Sequence, residues 1–384
     1  MKTGRLFAMV VVGVLAFGAW SCKPENEEVE NVTVNPSEAR IEVGGTYQLT
    51  AVVMPLDAPK EFQWTSSNQS VATVSGTGLV TAVAIGECNI TVTAGDKNDV
   101  CKVTVVERGG NQSLDGFNSD GASNALFSVG ESSRVRFSRG NLQYQASTGT
   151  WRFAMTQYDF VTDNNNISES YSGWIDLFGW GTSGRNSGAS NYQPWCSGVM
   201  SGDYGPGENN LTGTYANADW GVNNAISNGG NRAGMWRTLT KDEWNYLLFS
   251  RNTDNTLGSD AVRFVKATIN ARAGLVIFPD NYTHPSSLAA PTGMNESNSS
   301  YSANAYTYEQ WSLLQDAGCV FLPAVGYRLG TEVTSIAAEG AYWSSTYTNS
   351  TGAWGLAIDD SYRTDIIGFV RNRGQSVRLV MDAD

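Results

Sequence analysis

Histidine is almost absent from this sequence of 384 residues, which contains only His284. Zinc sites built from several histidines and paired catalytic histidines are therefore excluded by count. None of the five cysteines has a partner at the CxxC spacing of a redox or metal motif. Charged residues make up only 16% of the chain, and its formal net charge of −12 disfavours nucleic acid as a partner.

Glycine and tryptophan, in contrast, are abundant, with 41 and 12 residues. Together with the low share of charged residues, this composition is typical of a loop-rich extracellular β protein rather than of a disordered chain. A chain of 384 residues is also long for one hydrophobic core, so we expect two or three domains.

The N-terminal segment has the pattern of an export signal. Lys2 and Arg5 precede an apolar run, residues 6–19, that is shorter than a comfortable membrane span. The run leads into Ala19-Trp20-Ser21-Cys22, which resembles the lipobox of bacterial lipoproteins. The resemblance implies that a signal peptide is cleaved and that the cysteine carries the lipid.

We therefore expect residues 1–21 to be a lipoprotein signal peptide and Cys22 to be the lipidation site, which anchors the chain to a membrane. Residues 22–30 form an acidic tether, which resembles the signal that directs some lipoproteins to the outer surface. The expected location is the outer membrane, with the chain displayed at the cell surface.

Residues 31–106 contain short alternating strands with turns about every ten residues, a pattern that predicts an antiparallel sandwich. Three motifs in this segment match the bacterial group 2 immunoglobulin-like domain: residues 62–68 (FQWTSSN), 71–74 (VATV) and 78–82 (GLVTA). The resemblance covers the whole segment and implies an all-β immunoglobulin-like sandwich that acts as a spacer.

Cys88 and Cys101 both alternate with apolar residues in this sandwich, so both are expected to point into its core. A disulfide between them and a pair of buried thiols are both open at this stage. Neither cysteine has the surroundings of a reactive thiol.

Residues 107–124 are rich in Gly, Asn, Ser and Asp, which predicts a flexible linker. Residues 125–384 are then expected to form one domain, which carries ten of the twelve tryptophans. Capping boxes at Thr240 and Thr307 predict two helices among many short strands and long loops. This arrangement is typical of an α+β domain.

The segment 235–244 (MWRTLTKDEW) resembles the R-L-P-T-x-x-E-W signature of formylglycine-generating-enzyme-like domains, which have a C-type-lectin-like fold. Residues 318–328, 342–346 and 374–380 resemble further conserved segments of that fold. The expected fold class is therefore an all-β immunoglobulin-like sandwich followed by an α+β C-type-lectin-like domain.

The resemblance does not extend to catalysis. An active member of that family would need a reactive cysteine pair that binds copper near the C-terminal core, yet no cysteine follows Cys319. Cys319 itself precedes an apolar run, where a thiol is poorly nucleophilic. Asp359-Asp360 is interpreted as a solvated hairpin turn rather than as an acid–base pair. We therefore expect no enzymatic activity and no cofactor, although loop carboxylates leave calcium open.

With catalysis not expected, the sequence favours a function in ligand binding. Residues 343–380 resemble the C-terminal segment of variable proteins of diversity-generating retroelements, in which selected surface positions are rewritten on a constant scaffold. Leu356 and Ile358 are expected to form the buried side of a strand in this segment. The predicted ligand-binding residues are Tyr347, Asn349, Trp354, Asp359, Asp360, Tyr362, Thr364, Asp365 and Phe369. Their aromatic members, expected to be exposed, are of the type that dominates binding energy.

The sequence thus predicts a surface-anchored lipoprotein that displays a non-catalytic, lectin-like ligand-binding domain. Its expected partners are an extracellular protein or glycan, and the membrane through the lipid. A structural or adhesive subunit of a surface assembly is an alternative, and a formylglycine-generating-type enzyme is a weaker one.

Overall fold

The computed structural model describes residues 28–55, 58–106, 116–161, 167–185, 192–195, 198, 200–258 and 261–383. The predicted signal peptide and Cys22 lie outside these residues. The chain divides into two compact units, Met1–Arg108 and Gly109–Asp384. Within the described ranges, no helix is both long enough and apolar enough to cross a membrane.

The described part of the first unit is built from short strands. These are β1 Asn31–Asn35, β2 Glu38–Glu42, β3 Thr46–Gln48, β4 Thr50–Met54, β5 Gln63–Ser66, β6 Ala72–Val74, β7 Leu79–Ala82, β8 Gly86–Ala94 and β9 Lys97–Val106. They form sheets of order β1-β4, β2-β9-β8-β5 and β3-β7-β6. All pairings are antiparallel except that of β2 with β9.

Alternating apolar side chains explain the core of this unit. Val32 and Val34 of β1, and Ile90 and Val92 of β8, are all at most 3% exposed, while the residues between them face outward or are partly covered. Gly78, with φ of +83°, turns the chain where a Cβ would lie 2.8 Å from the Leu49 carbonyl oxygen. The predicted all-β immunoglobulin-like sandwich is confirmed for this unit.

The second unit is also rich in strands. They are β10 Phe127–Ser128, β11 Arg134–Phe137, β12 Leu142–Gln145, β13 Thr150–Phe153, β14 Arg237–Thr238, β15 Asp254–Asn255, β16 Phe264–Ile269, β17 Arg272–Ile277, β18 Asn281–Tyr282, β19 Ala305–Tyr306, β20 Val320–Pro323, β21 Tyr327–Leu329, β22 Glu332–Thr334, β23 Glu339–Asn349, β24 Gly352–Asp359, β25 Thr364–Val370 and β26 Leu379–Ala383. The larger sheets have the orders β10-β11-β26-β14, β19-β16-β17-β20 and β23-β24-β25. Two-stranded sheets join β12 with β13, β15 with β18, and β21 with β22.

Short helices connect these strands. The α-helices are α1 Trp220–Asn223, α2 Lys241–Asn245 and α3 Tyr308–Asp316, and a π-helical turn, Tyr246–Ser250, extends α2. Short 3-10 helices lie at Ala146–Thr148, Ser201–Asp203, Gly213–Ala218 and Tyr301–Ala303. Both predicted capping boxes are present, because Thr240 and Thr307 each accept from the third residue of the helix that follows.

Tryptophan side chains form much of the interior of this unit. Trp151, Trp180, Trp220 and Trp236 are at most 5% exposed and pack in one apolar cluster with Trp343. They therefore belong to a main core of the unit. Long loops with few apolar residues can be ordered because these large side chains give them a surface to cover.

The last residues of the predicted linker, 116–124, lie among the described residues of the second unit. Phe117 is buried, and Ala122 and Ser123 are almost completely withdrawn from solvent. Ser123 N donates to the Phe137 carbonyl oxygen at 2.8 Å. Residues 116–124 are therefore packed into the second unit rather than flexible, because the Phe117 side chain gives them apolar surface to bury. The Gly- and Asn-rich composition of the segment did not indicate this.

Candidate binding surface

All nine predicted ligand-binding residues lie on the sheet β23–β25 or in its turns. Both faces of this sheet are covered. Leu356 and Ile366 pack into one apolar cluster, whereas Trp343 and Phe369 pack into another. The side chains that a ligand could reach are therefore confined to the turns and to the outer edge of β25.

The nine residues do not form one surface. Tyr347 and Asn349 lie beside the turn at residues 350–351, whereas Asp360 and Tyr362 lie in or beside the turn at residues 360–363. These turns are at opposite ends of the eight-residue strand β24. At about 3.3 Å per residue the two groups are separated by roughly 25 Å.

Two of the predicted residues are buried. Phe369 is 8% exposed, and its ring centroid lies 6.0 Å from that of Trp343. Thr364 is 1% exposed. The expectation that Phe369 is an exposed aromatic residue was wrong, because β25 is covered on both faces. The predicted burial of Leu356 and Ile358 is confirmed, since both are fully buried.

Trp354 and Tyr347 are half-buried rather than exposed. The Lys241 Nζ atom lies 3.8 Å from the centroid of the Trp354 ring, so α2 already covers part of that ring with a cation–π contact. The Tyr347 side chain packs against the apolar cluster that contains Trp343. Its backbone N–H donates to Asn210 Oδ1 at 3.1 Å. Neither aromatic ring is open to a partner in the way that the sequence suggested.

The turn between β24 and β25 presents the most exposed aromatic residue among the nine. Tyr362 is 73% exposed at its tip. Ser361 has a φ of 54°, a left-handed conformation, and Arg363 donates to the Asp359 carboxylate across the base of the turn. The Asp359 carboxylate therefore stabilises the turn. Its place beside the turn agrees with the interpretation of Asp359-Asp360 as a hairpin turn.

The Asp360 carboxylate fixes the turn to a distant loop. Its Oδ1 atom accepts from the Ser300 hydroxyl at 2.9 Å and from the Tyr301 backbone N–H at 2.8 Å. An ionised acceptor makes these hydrogen bonds stronger than neutral ones. Asp360 is thus engaged within the chain, although its side chain is exposed.

Backbone groups of the turn make further contacts with the same loop. Ser361 N donates to the Ser299 carbonyl oxygen at 3.2 Å, and the Ser297 hydroxyl donates to the Thr364 carbonyl oxygen at 3.0 Å. Residues 297–301 and 359–364 therefore form one composite surface, which we call the Tyr362 surface. The sequence did not indicate the contribution of residues 297–301.

A buried ammonium group supports the Tyr362 surface from below. Lys266 Nζ donates to the Ser297 carbonyl oxygen at 2.7 Å and to the Asp359 carbonyl oxygen at 2.5 Å, and the residue is completely buried. Burial lowers the pKa of Lys266 to about 8, against the opposing charges of Asp359 and Asp360. A lysine within the largely apolar strand β16 was the one sequence signal that could have revealed it.

Asp219 is a second buried charge, and it lies away from this surface. Its carboxylate accepts from Gly221 N at 3.0 Å and from Thr238 N at 2.9 Å, so it joins the start of α1 to β14. Burial raises the pKa of Asp219 to about 6. Its described contacts are with groups of this chain, mainly backbone N–H groups, which gives the carboxylate a structural role.

Both ring nitrogens of His284 are engaged within the chain. His284 Nδ1 lies 2.8 Å from the Tyr282 hydroxyl oxygen, and Nε2 lies 3.2 Å from the Leu288 carbonyl oxygen, so both ring nitrogens have structural partners. In the described ranges, no three His, Cys, Asp or Glu side chains are grouped so that they could hold a metal ion.

The described cysteines are buried thiols. Cys319 is 1% exposed, and burial raises its pKa well above the ordinary value. Cys88 and Cys101 are both free, so of the two alternatives the pair of buried thiols is found. Cys88 lies opposite Val103 and Cys101 lies opposite Ile90, which places the two cysteines diagonally on neighbouring strands.

Comparison with known proteins identifies the first unit. Residues 28–105 match the bacterial Ig-like domain, a class of all-β module. The particular family is group 2 of these domains, as the sequence motifs predicted.

Two curated proteins share part of their sequence with this chain. A lacto-N-biosidase of Bifidobacterium bifidum is 42% identical over 89 residues, which is 22% of this chain and 8% of that protein. An uncharacterized protein of Clostridium acetobutylicum is 34% identical over 79 residues, which is 20% of each chain. This chain thus spans at most a fifth of the length of these relatives.

Solved structures that resemble part of the chain include surface proteins. A termite-gut xylanase containing a bacterial Ig-like domain is 28% identical, covers 18% of both chains and has a TM-score of 0.15. Domains 4 and 5 of the S-layer protein SbsC are 24% identical, with 20% of this chain and 52% of that chain covered and a TM-score of 0.19. An intimin mutant of EHEC O157:H7 is 23% identical, with coverages of 19% and 45% and a TM-score of 0.16.

Proposed function

We propose that this protein is a surface-displayed, non-catalytic binding protein. In this proposal Cys22 carries a lipid anchor at the outer membrane, the immunoglobulin-like unit is a spacer, and the second unit is a C-type-lectin-like binding domain. Its partner is an extracellular protein or glycan, which binds to the Tyr362 surface without covalent chemistry and without a cofactor.

The observation that carries the proposal is the exposure of Tyr362 on a fixed turn. Tyr362 is 73% exposed, while the turn below its ring is held by Asp360, by Lys266 and by residues 297–301. An aromatic residue on a rigid turn loses little conformational entropy on binding and provides a large contact area. Arg363 and the neighbouring serine hydroxyls add hydrogen-bonding groups around the ring.

The motif that suggested the lectin-like fold has a structural role here. Arg237 donates from both terminal nitrogens to the Glu243 carboxylate, at 2.9 and 2.7 Å, and also to Asp382 of β26 at 2.6 Å. Trp244, the last residue of the motif, is completely buried. These contacts favour a scaffold role for the motif and are compatible with the proposed lectin-like fold.

The arrangement of cysteines disfavours a formylglycine-generating enzyme. Its chemistry would require an accessible pair of thiols, whereas Cys319 is buried. The proposal therefore assigns no catalytic residue. Retroelement diversification of residues 343–380 is a finer part of the same proposal, and a near-copy of their coding sequence beside a reverse transcriptase gene is the observation that it requires.

The binding proposal is tested with the full-length chain displayed on cells and probed with a glycan array and a panel of extracellular proteins. We expect Tyr362→Ala to reduce binding of the recognised probe at least about tenfold, the loss of a hot spot of about 1.4 kcal/mol. Asn349→Ala, at the opposite end of the sheet, is the matched control. If only Asn349→Ala loses binding, the binding site lies at the Asn349 end of the sheet and not at the Tyr362 surface. Equal binding by both variants and the parent would refute the proposal.

A further inference from the structure

Strand β25 is the outer strand of its sheet, because β24 is the only strand with which it pairs in the part of the chain that the structure describes. The direction of its backbone groups follows from two hydrogen bonds on the outer side: Ile366 N donates to Asp365 Oδ1, and the Thr364 carbonyl accepts from Ser297. Backbone groups alternate along a strand, so those of residues 364, 366, 368 and 370 point away from β24.

Some of these outward groups are already used within the chain. Ile366 N–H is capped by Asp365 at 2.7 Å, and the Val370 carbonyl accepts from Arg373 N at 3.1 Å. Of the outward groups of residues 366–370, the four to which no described residue bonds are the Ile366 carbonyl, both groups of Gly368 and the Val370 N–H; Thr364, at the start of the strand, is buried. Gly368 is exposed, and Val370 is 51% exposed, so this edge is open to solvent.

These four groups are arranged symmetrically about Gly368. In antiparallel pairing about a two-fold axis at Gly368, the two Gly368 residues exchange both of their hydrogen bonds. The next bonded pair is Ile366 of one copy with Val370 of the other. In this pair the free Ile366 carbonyl accepts from the free Val370 N–H. Within residues 366–370, this pairing leaves out the Ile366 N–H and the Val370 carbonyl, which already have partners in their own chain.

We propose that β25 pairs with β25 of a second copy of this chain through this edge. The two sheets β23–β25 then become one continuous sheet across the two-fold axis. The proposal goes beyond the binding function, since the edge is distinct from the tip of the turn that carries Tyr362.

The side chains agree with this pairing. On one face, the half-exposed Val370 of each copy lies opposite Ile366 of the other, and on the other face Ile367 lies opposite Phe369. Cross-strand pairs of β-branched and aromatic residues stabilise antiparallel sheets. At the ends, Arg363 lies opposite Arg373, but each has a carboxylate partner in its own chain, Asp359 and Glu339.

The open edge also lacks the usual protection. Edge strands that must stay unpaired commonly carry lysine or proline at outward positions. Between residues 366 and 370 the sequence is Ile-Ile-Gly-Phe-Val, with neither. Gly368 at the centre has no side chain to keep a second backbone away.

Sedimentation velocity of the purified full-length chain over a range of concentrations tests the proposal. We expect a concentration-dependent dimer, and Val370→Lys should lower its association constant at least about tenfold by placing a charge in the pairing edge. Val52→Lys is the matched control, because Val52 is a strand valine of the first unit with a similar exposure of 49%. It should leave the dimer unchanged.

Amide hydrogen exchange locates the contact. Gly368 and Val370 N–H should exchange more slowly at high protein concentration than at low, and this difference should vanish in Val370→Lys. A chain that stays monomeric, or a dimer that Val370→Lys does not weaken, would overturn the proposal. Pairing of this edge only with a foreign extended peptide would likewise overturn it. Tyr362→Ala should leave dimerisation unchanged, so failure of the binding proposal and failure of this one are distinguishable.

Discussion

Arg371 Nη1 donates to the backbone carbonyl oxygen of Tyr204 at 3.0 Å and so joins the end of β25 to a loop 167 residues earlier in the chain. The same guanidinium donates to the carbonyl oxygens of Gly352 and Asn349, at 3.1 and 2.7 Å. Arg371 is completely buried, and burial lowers its pKa to about 10. One side chain therefore fixes the turn at residues 350–351 to the loop around residue 204.

Replacement of this guanidinium should destabilise the second unit. Arg371→Met leaves three carbonyl groups without their donor, and we expect a loss of about 3 kcal/mol in the free energy of unfolding. Chemical denaturation of the full chain measures it. The control Arg232→Met, at an exposed position, should change stability by less than about 0.5 kcal/mol. Equal effects of the two substitutions would contradict this role.

Cys88 and Cys101 should remain reduced in the folded protein. Diagonal neighbours in an antiparallel sheet are about 7–8 Å apart, beyond the usual Cα separation of a disulfide. Burial also raises the pKa of Cys101 to about 12, so little thiolate is available for oxidation. Both thiols should be alkylated only after denaturation, as peptide mapping by mass spectrometry can determine. Recovery of a Cys88–Cys101 disulfide from native protein would contradict the register.

Lys266 should make the free energy of unfolding depend on pH in the alkaline range. Its pKa in the folded state, about 8, lies below its ordinary value of 10.5, so folding disfavours the charged form. The free energy of unfolding should therefore rise as pH increases from about 8 to 10.5, by roughly 3 kcal/mol relative to Lys266→Met. Lys60→Met, at an exposed position, should retain the pH profile of the parent.

The same lysine should also control the order of the Tyr362 surface. Lys266→Met removes the donor to the Ser297 and Asp359 carbonyl oxygens, so amide exchange in residues 297–301 and 359–364 should become faster. Exchange in the first unit should not change. Unchanged exchange in both segments would show that the other hydrogen bonds of the turn are sufficient to hold it.

Asp219 should make the free energy of unfolding depend on pH in the acidic range. Burial raises its pKa to about 6 from an ordinary value of 3.8, so the folded state favours the protonated carboxyl. Its contribution to stability should increase as pH falls from about 6 to 3.8. The difference in unfolding free energy between the parent and Asp219→Asn should change by roughly 3 kcal/mol between pH 7 and pH 3.8. A difference independent of pH would contradict the assignment.

The features that the sequence predicted well are local ones. The capping boxes at Thr240 and Thr307 formed as expected, because each requires only a residue three positions further on. The immunoglobulin-like unit was predictable from alternating apolar residues and three short motifs. Leu356 and Ile358 followed from the same alternation.

Features that depend on distant pairs were not predictable. The contact of Lys266 with the Asp359 carbonyl spans 93 residues, and that of Asp360 with Tyr301 spans 59. Phe369 was misassigned because alternation identifies a buried face only when the other face meets solvent, and both faces of β25 are covered. Phe117 was missed because one aromatic residue does not alter the composition of a Gly- and Asn-rich segment.

The bonds that hold the Tyr362 turn have a consequence for how this surface can change. Three of them use main-chain atoms of the turn: the Asp359 carbonyl, the Ser361 N–H and the Thr364 carbonyl. A substitution at Tyr362 leaves all three in place. This position can therefore accumulate mutations that alter the chemistry of the surface while the path of the chain is inherited unchanged, a separation between variation and folding that the proposed binding role would require.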